Sequence, residues 1–211
     1  WALISPLNDK TLMRDVLAYH LAADAMDWAP RTRFCEVLLN GEYIGVYVLL
    51  ETIKRDKKRV NISKIEADAP STDSLTGGYI LKIDKYFNSP GGDWVSPYLP
   101  IPNNFARTYF QLHYPKRNEL DDAQFKYIKG YVTRAENAFN AWKPNSPGKP
   151  VYENWIDVDS WVNYLLVNEI AKNTDGYRLS AYFHKDKNEN DSLLQMGPVW
   201  DFNISFGIGD Y

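Results

Sequence analysis

"NTDGYRLSAYFHKDKNENDSLLQMGPVWDFN", residues 173–203, is the stretch whose reading decides the fold. Two β-rich runs, "LSAYFHKD" and "LLQMGPVW", flank the polar turn "KNENDS", and together they read as a hairpin. Asp175 precedes the first run and Asp201 follows the second. Antiparallel strands joined by a short turn bring their far ends together, so Asp175 and Asp201 are expected side by side at one end of a sheet. Asp201 stands between Trp200 and Phe202, where a buried carboxylate without a partner is costly or gives up its charge. Such an acid calls for a cation, a metal or a set of backbone donors.

Outward from this hairpin the chain reads as alternating β-rich and helical blocks. Upstream, "SWVNYLLVNEIAKN" reads as a helix capped by Asp157 or Asp159, and its breadth of apolar positions predicts burial on most sides. Residues 119–142 place Phe125, Ile128, Val132, Ala135 and Phe139 at spacings of three and four, the pattern of a long amphipathic helix ended by the loop "KPNSPGKP". "RTYFQLHYP" and "YILKIDKYF" read as strands, the latter holding Lys82, with a Pro- and Gly-rich segment from Asn88 to Asn104 between them. "RFCEVLLNGEYIGVYVLLETI" is a hairpin turned by Asn40-Gly41, since both residues tolerate positive φ. A first helix is expected over about residues 10–27, capped by Asn8 or Asp9. The basic stretch "IKRDKKRVNISK" reads as a solvated turn.

The order predicts an α+β fold of two lobes, β-rich over about 1–115 and helical with the terminal hairpin over about 116–211, with a cleft between them. Forty-five per cent hydrophobic and 15% aromatic residues in 211 are enough for a real core. With 24 Lys and Arg against 27 Asp and Glu, the net charge of −3 offers no field for nucleic acid or an anionic membrane. One cysteine, Cys35, excludes an intrachain disulfide and a cysteine-built zinc site. No apolar run reaches the roughly 20 residues of a membrane helix, and "WALISPLNDK" lacks the regions of a signal peptide. The start at Trp1 and the end within patterned sequence read as those of a piece of a longer chain.

Two converging carboxylates share a proton or take a divalent cation, and Asn173 and Asn203 add neutral oxygens nearby. Hard oxygens favour magnesium, calcium or manganese over zinc. A structural calcium site and a plain Asx-turn at "NTDG" stay open as alternatives. Glu51 is placed to pair with Arg14 of the preceding helix, whereas His20, His113 and His184 are scattered without metal-ligand spacing. The aromatic-rich "YFNSPGGDWVSPYLP" raises a rival reading, a surface for carbohydrate or protein ligands.

A loop Asp, a hairpin and an Asp-Phe-Asn tripeptide also follow the chemical plan of protein kinases. Taken with "NDKTLMRDVLAYHL", "VLLNGEYIGVYVLLETI", "GGYILKIDKY", "NTDGYR" and "GPVWDFNISFG", the chain resembles the CotH kinase family, in a version similar to Bacteroidetes surface proteins. The resemblance implies a reduced kinase-like fold that binds ATP and Mg2+, or Mn2+ or Ca2+, between two lobes and phosphorylates Ser of protein partners outside the cytoplasm. It assigns Asp175 as the catalytic Asp that orients or deprotonates the acceptor hydroxyl and Asp201, with Asn203, as the metal ligands, while Lys82, Glu51 and Asn173 serve the nucleotide. Leu179 and Ser180 depart from the Asn residues that many members carry after the catalytic Asp, and Asn203 stands where an acid is common. A lapsed, binding-only descendant with a structural metal is the alternative the resemblance leaves open.

Overall fold

The computed structural model describes residues 1–5, 7–65, 75–85, 94–99, 107–145 and 147–208. Its strands are β1 (Ala2–Ile4), β2 (Thr32–Leu39), β3 (Glu42–Leu50), β4 (Tyr79–Ile83), β5 (Trp94–Val95), β6 (Tyr109–Tyr114), β7 (Ala181–Lys185) and β8 (Gln195–Met196). The helices are α1 (Arg14–Ala25), α2 (Asp122–Ala141) and α3 (Val158–Ala171), with 3-10 turns at Arg117–Glu119 and Val151–Asn154. The α+β class is therefore as expected.

Two antiparallel sheets are present, a three-stranded one in the order β1-β3-β2 and a five-stranded one in the order β5-β6-β4-β7-β8. Asn40 (φ 53°) and Gly41 (φ 86°) both sit in the left-handed region, which is what a two-residue hairpin turn demands. In the larger sheet, Lys82 lies opposite Tyr182 and Ile83 opposite Ala181. The strands on either side of residues 115–119 thus belong to one sheet, and the expected division between lobes falls within the chain path that connects them. Much of the segment from Asn88 to Asn104 lies outside the described residues. Trp94 from its middle is buried and stacked on Phe110 at 5.4 Å, so this ring serves the core and not a sugar-binding surface.

The main core lies between the five-stranded sheet and the helices, with Leu81, Ile128, Tyr164, Val167, Phe183 and Phe202 buried in it. Helix α2 starts on an Asp121–Gln124 capping box and buries Ile128, Val132 and Ala135 as their spacing predicts. Asp157 caps α3, accepting from Ser160 N at 2.9 Å. Two expectations are corrected. Helix α1 begins at Arg14, because the Asp9 carboxylate accepts from Thr11 N and Arg14 N and closes a turn ahead of the helix. Helix α3 buries only one face, and Val162, Leu165, Leu166 and Ile170 are exposed, the last at 63%. Among the described residues, no helix is long and apolar enough to cross a membrane.

Candidate functional site

The segment after β8 shows how the chain tolerates an acid between two aromatics. Val199 and Phe202 are fully buried, whereas Asp201 is exposed to a cleft at the sheet end. The backbone turns at Asp201 through the left-handed region, φ 63°. Two side chains of α1 hold that turn. Tyr19 Oη accepts from Asp201 N at 3.1 Å, and Asp15 Oδ1 accepts from Phe202 N at 2.7 Å. Trp200 stacks on the Tyr19 ring with centroids 6.2 Å apart, and Phe202 meets the same ring edge-on at 6.3 Å. Arg14 Nε donates to Ser205 O at 3.0 Å, and the Arg14 guanidinium is itself held by Asp9 at 2.5 Å.

The Asp175 loop is built from the end of α3. Lys172 takes a left-handed conformation (φ 50°) that stops the helix, and Asn173 N returns to Asn168 O at 3.0 Å. Both ends of the buried Asn173 amide are then used inside the protein: Nδ2 donates to Asn168 Oδ1 at 3.0 Å, and Oδ1 accepts from Asp175 N at 3.3 Å. Tyr164 Oη donates to Gly176 O at 2.6 Å. Glycine is required at 176, since a Cβ there would lie 1.9 Å from Asn168 Oδ1. Asp175 Oδ1 accepts from Arg178 at 2.6 Å.

Strand β4 supplies the third wall. Ile83 pairs with Ala181, which brings Asp84 beside Ser180, and the Ser180 hydroxyl donates to Asp201 Oδ2 at 3.3 Å. The Asp201 carboxyl is raised above its ordinary pKa, first because the cleft walls desolvate it and also because Asp175 and Asp84 repel its charge; the Ser180 hydroxyl opposes the rise. The hairpin sets the Asp175 and Asp201 loops at one end of the sheet, and the Asp175 charge is felt at Asp201. Asp84 is a member that sequence reasoning missed, although its place two residues after Lys82 on an alternating strand puts both on one face.

The expected nucleotide-steadying pair takes a different form. Lys82 Nζ binds Asp84 Oδ2 at 2.7 Å. Glu51 is buried against Arg31, with Oε1 to Nη2 at 2.6 Å and Oε2 to Nε at 2.8 Å, and Arg59 lies 3.5 Å away. The Arg31 hydrogen bonds hold the Glu51 carboxyl below its ordinary range, against the opposing effect of burial. Arg14, the other candidate partner for Glu51, is engaged by Asp9 instead. The reason is the strand pairing: Thr32 faces Leu50, so Arg31 arrives opposite Glu51.

Asp201 and Asn203 line a cavity of about 310 Å³ together with Ile4, Leu50, Asp15 and Tyr19. The small sheet thus forms one wall of the cleft and the Asp201 turn the other. A larger cavity of about 600 Å³ near His184 and Asp159 contains none of the expected site residues. Among the described residues, no three His, Cys, Asp or Glu side chains are grouped to hold a metal ion. Two carboxylates and an amide oxygen suit a hard divalent cation of the kind that draws its remaining oxygens from phosphate and water.

The domain is α+β, with the Asp175 and Asp201 loops at one end of its β7–β8 hairpin. The CotH kinase protein family matches residues 1–211, the whole chain, and the protein belongs to that family. No curated protein matches the chain.

Proposed function

We propose that the protein is an atypical protein kinase that binds ATP with Mg2+ in the cleft lined by Asp201 and transfers the γ-phosphate to a serine hydroxyl of a protein partner. The observation that carries this reading is the placement of Asp201 and Asn203 on the cleft wall with the Asp175 loop at the same end of the β7–β8 hairpin. Asp201, with Asn203, would hold the cation, which neutralises phosphate charge when bound. Asp175 would accept the proton from the incoming hydroxyl as its oxygen bonds to phosphorus and the bond to the ADP leaving oxygen breaks. Arg178 Nη2 lies on Asp175 Oδ1 and supplies positive charge beside it. Lys82, held by Asp84, is the cation of β4 that would face the phosphates.

The test is thermal unfolding with ATP and Mg2+ together, each alone, and Ca2+ alone. At ligand a hundred-fold above Kd the stabilisation is about 2.7 kcal/mol. For a chain of 211 residues that is a rise in Tm of about 5–10 °C. The rise should need both components and vanish in Asp201→Ala, while Asp175→Asn should keep binding and lose phosphate transfer. A rise with Ca2+ alone, untouched by ATP, would replace the kinase reading with that of a binding module carrying a structural cation. Ser180, whose hydroxyl is spent on Asp201, is the observation that favours this second reading.

A further inference from the structure

We propose that Asp15 and Tyr19 of α1 are positioning residues that set the direction of Asp201 toward Asp175; the inference rests on the reading of Asp201 as the cation ligand. Both residues are buried, each 3% exposed. Their hydrogen bonds go to two consecutive amides, those of Asp201 and Phe202. A non-glycine residue in the left-handed region persists only where its surroundings over-determine it, and here the determinants are these two acceptors and the buried Phe202 ring.

Asp15 and Tyr19 stand four residues apart on one face of α1 and hold adjacent amides, so the pair acts as one bracket. The same helix reaches the other aspartate. Arg14 holds Ser205 O, and the next residue, Phe206, donates its N–H to Ala171 O at 2.6 Å, in the last turn of α3 from which the Asp175 loop departs. Helix α1 is therefore a crossbar between the two loops, and its register decides how their carboxylates face.

The experiment is an NMR measurement of the three-bond N–Cγ and C′–Cγ couplings of Asp201, which report its χ1, on the ligand-free 211-residue chain. Calorimetric titration with Mg·ATP accompanies it. Wild type should show one χ1 rotamer. Asp15→Ala should show rotamer averaging and bind Mg·ATP at least about ten-fold more weakly, while Asp15→Asn, which keeps an oxygen for Phe202 N, should return most of both signals. If Asp15→Ala fails to fold, Tyr19→Phe carries the same test, because it keeps the stack on Trp200 and removes only the acceptor for Asp201 N. A folded variant with wild-type couplings and wild-type affinity overturns the proposal. Were the wild type to ignore Mg·ATP, the kinase reading would fall, and the couplings alone would then decide for or against the bracket.

Discussion

Gly176→Ala probes the Asp175 loop with a single methyl group. The added Cβ would stand 1.9 Å from Asn168 Oδ1, 2.6 Å from its Cγ and 3.1 Å from Asn173 Nδ2. Asn168 is 1% exposed, so its amide has no solvent to swing into. Displacing it breaks the 3.0 Å bond from Asn173 and the 2.9 Å bond to Tyr164 O. Overpacking costs about 1–3 kcal/mol. A buried polar group left without its partner adds about 1–3 kcal/mol. Together these amount to about 4 kcal/mol, or a fall in Tm of about 8–16 °C at this chain length. Circular dichroism melts and urea titrations of Gly176→Ala, Asn168→Ala and the double variant measure it. With Asn168 shortened the methyl group has room, so Gly176→Ala should cost less than about 1 kcal/mol in that background, giving a large coupling energy. A melt within about 2 °C of wild type, or equal costs in both backgrounds, would refute the reasoning.

Lys185 is fully buried with its Nζ on Thr76 O, Asp186 O and Asn188 Oδ1, and burial pushes its pKa down to about 8 from the ordinary 10.5. The unfolded chain therefore binds more protons between those values, and stability should rise with pH from about 8 toward 10, a slope that Lys185→Met should flatten in urea unfolding series. An unchanged slope would show that other groups set it. Glu51→Ala should cost about 2–4 kcal/mol at pH 7 by stranding Arg59. Because the Glu51 pKa is lowered on folding, that stabilisation is present above the ordinary carboxylate range and lost as pH falls through the folded value, so the gap to wild type should close in acid. Phe202→Ala should lose about 3–5 kcal/mol in denaturant titrations. Its affinity for Mg·ATP should fall as well, and an intact affinity would separate the Asp201 turn from its buried anchor.

Local patterns carried much of this structure into view. The Asn40-Gly41 turn, the Asp157 cap and the spacing of Ile128, Val132 and Ala135 are decided by residues a few positions apart. The hairpin that brings the Asp175 and Asp201 loops together belongs to the same class. Pairs far apart in sequence were not readable. Nothing local marks Asp15 or Tyr19 for this task, since their target lies more than 180 positions away. The Glu51 partner was hidden by one irregularity. From Leu39 opposite Glu42 a regular ladder would place Pro30 opposite Glu51, but a bulge between Val37 and Leu38 shifts the register and delivers Arg31. The apolar breadth of α3 misled because composition reports how much could be buried, not which neighbours exist to bury it.

Strand β4 sits between β6 and β7, and about a hundred residues of chain separate it from β7. On a ribosome adding about 5–20 residues per second, β4 waits on the order of 5–20 seconds for that neighbour. During this interval the stretch "YILKI" presents an open edge with apolar side chains. Expression of a piece ending near residue 115 should therefore yield aggregates through that open edge, not a lobe.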